Sequence, residues 1–101
     1  MKIVYNRLLP FKGYRAMAFF GIILARKECR PLSETDIRHE WIHKAQAKDC
    51  GGWLWFYLRY IGYWIRTGYR SNPFEREAFA NDDIAGYLEK RPANAWKQYL
   101  K

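Results

Sequence analysis

The sequence is short of histidine, cysteine and acid. Two cysteines, Cys29 and Cys50, stand in 101 residues. That is too few for a disulfide scaffold, and neither lies in a C-x-x-C pair of the kind that holds a metal through thiolates. A predicted helix separates them, so free thiols are expected rather than a bridge. Acidic residues number 10 against 18 Lys and Arg, leaving a net charge of +8. This balance points to acidic partners, among them nucleic acid, an anionic membrane surface and acidic substrates. The basic residues are scattered, with no run longer than Arg26-Lys27, so there is no polybasic tract. Long hydrophobic runs are absent too. The apolar stretch "AMAFFGIILA" (16–25) is too short to span a bilayer and is followed by "RKEC" rather than a small-residue cleavage site. No convincing signal peptide is expected, and the chain is expected in the cytoplasm or peripheral to a membrane. Repeats, low-complexity segments and internal linkers are missing, so residues 1–101 read as one domain.

Apolar and aromatic side chains are plentiful. Half of the residues are hydrophobic and 19% are aromatic. These large rigid groups suit a modest core, and the composition is not that of a disordered chain.

The pattern predicts an α+β order. "MKIVYNRLL" (1–9) reads as a strand, and Pro10 and Gly13 mark a turn. "YRAMAFFGIILARK" (14–27) reads as one longer strand, paired antiparallel with the first. "PLSETDIRHEWIHKAQAKDCGG" (31–52) is the clearest helix. Ser33 is its N-cap, Asp36 completes a box, Leu32 and Ile37 can form a staple, and the Gly51-Gly52 pair ends it. "WLWFYLRYIGYWIRTGY" (53–69) reads as an aromatic helix stopped at Gly68. "SNPFEREAFANDDIAGYLEKR" (71–91) reads as a third helix, capped by Asn72 and closed by Arg91-Pro92. "ANAWKQYLK" (93–101) is expected as a short packed helix or tail.

The chemistry sits in "RHEWIHKAQ" (38–46). His39 and His43, the only histidines, stand four residues apart and so stack on one helix face. Both imidazoles can then point at one metal ion. Glu40 lies about 100° round the helix from His39. There its carboxylate can reach a water held by the metal without being a ligand. This is the physical content of H-E-x-x-H: two ligands and one general base on one helix. Chance histidine pairs do occur on helices, but this one lies on a well-capped helix and continues into H-E-x-x-H-x-x-Q.

A catalytic zinc needs a third protein ligand and an open fourth position. With no third histidine, that ligand must be an acid or a cysteine. "NPFEREAFAND" (72–82) offers Glu75 and Glu77. They lie about 200° apart on a helix, so both cannot face the same metal. On a continuous helix Glu77 falls among Phe74, Ala78, Ile84, Ala85 and Leu88, and a carboxylate on an apolar face needs a partner. An ion pair with Arg70 or Arg76 would also serve. Glu75 falls beside Ala78, Phe79 and Asp82, and as the third helical residue it could complete a capping box with Asn72. Spacing alone leans slightly to Glu77.

"HEWIHKAQ" followed about thirty residues later by "FEREAFAN" resembles the gluzincin metallopeptidases. The likeness is greatest to their minimal members, the minigluzincins, and to a family of short uncharacterised Bacteroidetes proteins. It covers nearly the whole chain. It implies a small zincin-like domain: a short N-terminal antiparallel sheet, then the HExxH helix, the aromatic helix and a glutamate helix. It implies a zinc metalloendopeptidase that hydrolyses peptide bonds, with Zn2+ as cofactor, a peptide or protein as substrate and Glu40 as general base. In the HtpX-like and CAAX-prenyl-protease-like families the ligand glutamate stands in E-x-x-A-D. Laid on "EREAF", that pattern names Glu75 beside His39 and His43, with Glu77 as the alternative. Phe79 departs from it, standing where those families place an aspartate that orients a ligand histidine. Gluzincins also hold an extended substrate on a cleft-edge strand, for which 14–27 is the counterpart. A tyrosine or arginine would have to stabilise the oxyanion. Minigluzincins are known with a C-terminal tail in the cleft, a role open to 93–101.

Residues 53–69 carry a second possibility. Their Trp and Tyr content, with Arg66 and Arg70 nearby, suits peripheral membrane contact, although Arg59 and the length argue against a span. A core helix covering the histidine helix is the plainer expectation. No nucleic acid is expected, since no RNP-like or zinc-finger pattern is present. The alternative to a peptidase is a non-catalytic protein that keeps the zincin fold and docks on a membrane surface or protein partner.

Overall fold

The structure is a computed structural model that describes residues 2–7 and 15–100. It is a small α+β arrangement of a three-stranded sheet and four α-helices. The turn expected at Pro10 and Gly13 lies outside the described residues.

The sheet corrects the sequence reading in two ways. Residues 14–27 do not form one strand. They fold into a hairpin of β2 (Ala16–Phe19) and β3 (Ile22–Arg26), turned at Phe20 and Gly21. Both turn residues have positive φ, 47° and 91°, the conformation a tight two-residue hairpin demands. Phe-Gly is a poor advertisement for such a turn, and the unbroken apolar run hid it. The second correction concerns pairing. The first strand, β1 (Lys2–Asn6), runs parallel to β3, so the sheet is mixed, in the order β1-β3-β2, rather than antiparallel. Ile23 and Ala25 of the central strand are buried, and Leu32, Ile3 and Ile37 pack with them.

A short 3-10 turn (Lys27–Cys29) leads to α1 (Glu34–Asp49). Its start is as the sequence predicts. Ser33 Oγ accepts from the Asp36 N–H, and the Asp36 carboxylate accepts from the Ser33 N–H, so two helix-end donors are satisfied reciprocally. α2 (Trp53–Thr67) begins directly after Gly51-Gly52 and stops at Gly68. Its inner side places Phe56 against Phe74, with ring centroids 4.9 Å apart, and Phe74 against Trp96 at 4.5 Å. The last described turn (Ala95–Tyr99) is therefore part of the core, and no residue of it lines the cleft.

The third predicted helix is also shorter than expected. α3 covers Pro73–Asn81, and the chain then turns through a left-handed Gly86 into a single turn, α4 (Tyr87–Lys90). The break has local causes. Asn81 Nδ2 donates to the Glu77 carbonyl at 2.8 Å, and Arg38 Nη1 donates to the Asp82 carbonyl at 2.7 Å. Side chains thus take up carbonyls that a continuing helix would have used. α1 packs against β2, α2 and α3.

Candidate metal centre

Helical spacing puts His39, Glu40, His43 and Gln46 on the side of α1 that meets β2, α2 and α3, and all four are buried. The imidazoles stand edge to face with centroids 4.9 Å apart. From α3, Glu75 turns its carboxylate between them. Its Oε1 lies 2.9 Å from His39 Nε2 and 3.1 Å from His43 Nε2. One donor atom from each of the three residues lies within 4.8 Å of the others, a group that could hold a metal ion. Glu75 does not cap the helix. Asn72 Oδ1 does, accepting from the Phe74 N–H at 3.0 Å.

The outer nitrogen of each ring is engaged. His39 Nδ1 lies 2.9 Å from Asp82 Oδ2, and His43 Nδ1 lies 2.8 Å from Gln46 Oε1. The orientation of Gln46 is fixed independently. Its Nε2 donates to the Phe74 carbonyl and to Glu77 Oε1, both at 2.9 Å, so its oxygen must face His43. A carboxylate and an amide oxygen can only accept, so both Nδ1 atoms carry the proton. A neutral imidazole then turns its Nε2 lone pair inward. Two lone pairs and a carboxylate oxygen converging on one point require a cation there. Protons meet that need in the metal-free protein. Burial opposes charge on His43, but the Glu75 carboxylate beside it prevails and raises its pKa to about 9. Burial likewise pushes Glu75 upward, and the two histidines overcome it to hold the acid well below the usual carboxylate range. The donor set also fits a divalent ion such as zinc, with two imidazoles, one carboxylate and ring orientations already set.

Glu40 stands apart from this hydrogen-bond cluster. Its Oε1 is buried with no partner among the described residues. Burial raises its pKa, with the neighbouring histidines working against that. Glu40 also lines the cleft, beside the histidine pair.

Glu77, the alternative ligand, is not brought to the histidine pair. It is fully buried among Arg91 Nε at 2.6 Å, Arg91 Nη2 at 3.0 Å, Tyr87 Oη at 2.6 Å and Gln46 Nε2 at 2.9 Å. Burial would raise its pKa, but Arg91 and these donors hold it low. Arg91 also binds Asp49 at 2.7 Å. The ion pair foreseen for Glu77 thus exists, though with Arg91. Arg70 instead lies over the Phe79 ring, and Arg76 donates to the Tyr99 carbonyl.

Sequence reasoning missed three participants. Asp82, one turn beyond Phe79, meets His39 Nδ1. Tyr60 of α2 donates its hydroxyl to Glu75 Oε2. Gln46 was noted only as a trailing residue, yet it joins His43 to Glu77. Asp82 was visible as the residue two turns beyond Glu75; the Tyr60 contact had no local signal.

The centre forms the floor of a cleft of about 290 Å³. Edge strand β2 forms one wall through Ala16, Met17 and Ala18, and α2 forms another through Tyr57, Tyr60, Ile61 and Trp64. Tyr57 ties these walls together, donating its hydroxyl proton to the Ala18 carbonyl and accepting from the Phe20 N–H. No family model, no curated protein and no solved structure matches the chain.

Proposed function

We propose that the chain is a zinc-dependent metallopeptidase of gluzincin type, acting on an extended peptide. The observation that carries this reading is the convergence of His39 Nε2, His43 Nε2 and Glu75 Oε1, beside a Glu40 oxygen that is buried and unpaired. His39, His43 and Glu75 would hold the ion. Zinc there would supply the positive charge that polarises a peptide carbonyl and lowers the pKa of a water to about 7.

The chain's own groups do the rest. Asp82 and Gln46 hold the two rings with their Nε2 atoms inward. Glu40 takes the proton of the attacking water and delivers it to the leaving amine. Its burial-raised pKa suits both halves of that transfer. The peptide lies along β2, whose Ala16, Met17 and Ala18 line the cleft, and pairs with it as an added strand once the Tyr57 hydroxyl gives up the Ala18 carbonyl. Tyr60 and Tyr69 line the cleft, and Tyr60 donates its hydroxyl proton to Glu75 Oε2, so it steadies the ligand carboxylate.

Metal analysis of protein purified without chelator tests the centre, with about one zinc per chain expected from the single donor set. Protein that neither retains zinc nor takes it up in titration would overturn the reading. Zinc binding with no peptide hydrolysis in any library, identical for the native chain and Glu40→Gln, would favour the non-catalytic docking protein instead.

A further inference from the structure

The outward side of α2 is unexpectedly apolar. Leu54, Leu58, Ile61 and Ile65 recur at helical spacing along one stripe, flanked by Trp55 and Trp64, and all six are exposed. Ile65 is 79% accessible. The stripe does not stop at the helix. Ile61 and Trp64 are also walls of the cleft, and the ring of Phe20 lies 5.1 Å from that of Tyr57. Hairpin tip and helix therefore share one apolar rim around the cleft mouth.

Phe20 is the second observation. A bulky residue at φ 47° is disfavoured by its own Cβ, by about 1 kcal/mol or more, and Asn would fit the turn better. The residue is nevertheless 55% exposed. Backbone strain kept for an exposed aromatic side chain points to a use outside the folded core. The third observation is charge. From Asp49 to Glu75 no acid occurs, while Arg59, Arg66 and Arg70 are exposed. Among the described residues no helix is long and apolar enough to cross a membrane.

We propose that this rim seats the protein on an anionic bilayer surface. Leu54, Leu58, Ile61, Ile65 and Phe20 enter the headgroup–acyl boundary, Trp55 and Trp64 sit at its level, and the arginines meet lipid phosphates. Resting on the peptidase reading, the seated cleft mouth opens at the lipid boundary. Its substrate class is then a peptide segment emerging from a membrane, with apolar side chains against Ile61 and Trp64.

The test is co-sedimentation of the full chain with vesicles of phosphatidylcholine alone or mixed with phosphatidylglycerol, followed by tryptophan quenching with brominated lipid. Binding to the anionic vesicles, weakened by salt, with quenching of tryptophan emission, is expected. Leu58→Glu and Ile65→Glu should each weaken it about tenfold or more. Arg66→Gln should weaken it about fivefold and flatten the salt dependence. Circular dichroism and zinc titration on the same variants should be unchanged. Absence of binding to anionic vesicles at low salt would overturn the proposal, as would binding that Leu58→Glu and Ile65→Glu leave intact. A dimer that Ile65→Glu dissociates, with vesicles ignored, would overturn it in favour of a second copy on this face. Zinc uptake reads the peptidase proposal separately: vesicle binding without zinc uptake removes that reading and leaves the docking surface standing.

Discussion

His39 Nδ1 lies 2.9 Å from Asp82 Oδ2, so an aspartate just beyond the end of α3 orients a histidine of α1. Phe79, one turn before Asp82, packs its ring 4.6 Å from that of His39. The helix ends at Asn81, and Asp82 folds back to the role. Asp82→Ala should therefore weaken zinc binding about 10–100-fold, the usual cost of removing a carboxylate behind a ligand histidine. Asp82→Asn keeps an acceptor and should lose less. Competition titration against a chromophoric chelator measures both; equal affinity in Asp82→Ala and the native chain would contradict the orienting role.

Glu75 and Glu77 should separate cleanly on substitution. Glu75→Gln removes a donor at the centre and should abolish tight zinc binding. Glu77→Ala leaves Arg91 buried beside Asp49 without its second carboxylate. Breaking a buried pair in this way costs about 3–5 kcal/mol, which urea unfolding would record. Zinc binding by the folded fraction should survive it, reduced only through the loosened Gln46.

The slight lean to Glu77 in the sequence shows where local pattern gives out. It depended on Ile84, Ala85 and Leu88 sharing a helix face with Glu77. The helix breaks before them, and Ile84 is exposed. Arg91, the true partner, lies beyond that break, where helical spacing has no predictive value. The placement of Ser33, His39, Glu40 and His43 was legible because all four belong to one helix whose caps are written beside it. The hairpin at Phe20-Gly21 was not, because an unbroken apolar run conceals a turn whose first residue is a poor turn former. The parallel pairing of β1 with β3 depends on contacts across the chain that no local pattern encodes.

Without metal, stability should have a window in pH. The folded pKa of His43 is raised from 6.5 to about 9 by Glu75. Its contribution is complete below 6.5 and is lost as pH rises through about 9, on the order of 3 kcal/mol in all. Glu75 is shifted the other way, so its contribution is present above 4.5 and is lost as pH falls further. Both shifts describe largely one interaction and do not add. Chelator-treated protein should melt highest between these limits. Zinc affinity should instead rise with pH as far as the alkaline limit, because the ion displaces the imidazolium proton. A metal-free melting temperature that stays flat from neutral pH to pH 10 would rule out the charged His43–Glu75 pair.

Glu40 should trade stability for function. Its carboxyl is buried, one oxygen has no partner among the described residues, and its pKa is raised by that burial. A raised pKa means that folding disfavours the ionised form relative to the unfolded chain. Glu40→Gln is neutral and nearly the same shape, so the metal-free variant should melt higher than the native chain, by a margin on the order of 1 kcal/mol. Zinc affinity should hold, since Glu40 donates nothing to the ligand set. Peptide hydrolysis should fall by at least about 100-fold, the low end for loss of a general base. Calorimetry and a peptide-cleavage assay on the same preparation test the pair of outcomes. A variant that melts lower and still cleaves would show Glu40 to be a structural acid, and the proton would have to leave by another group.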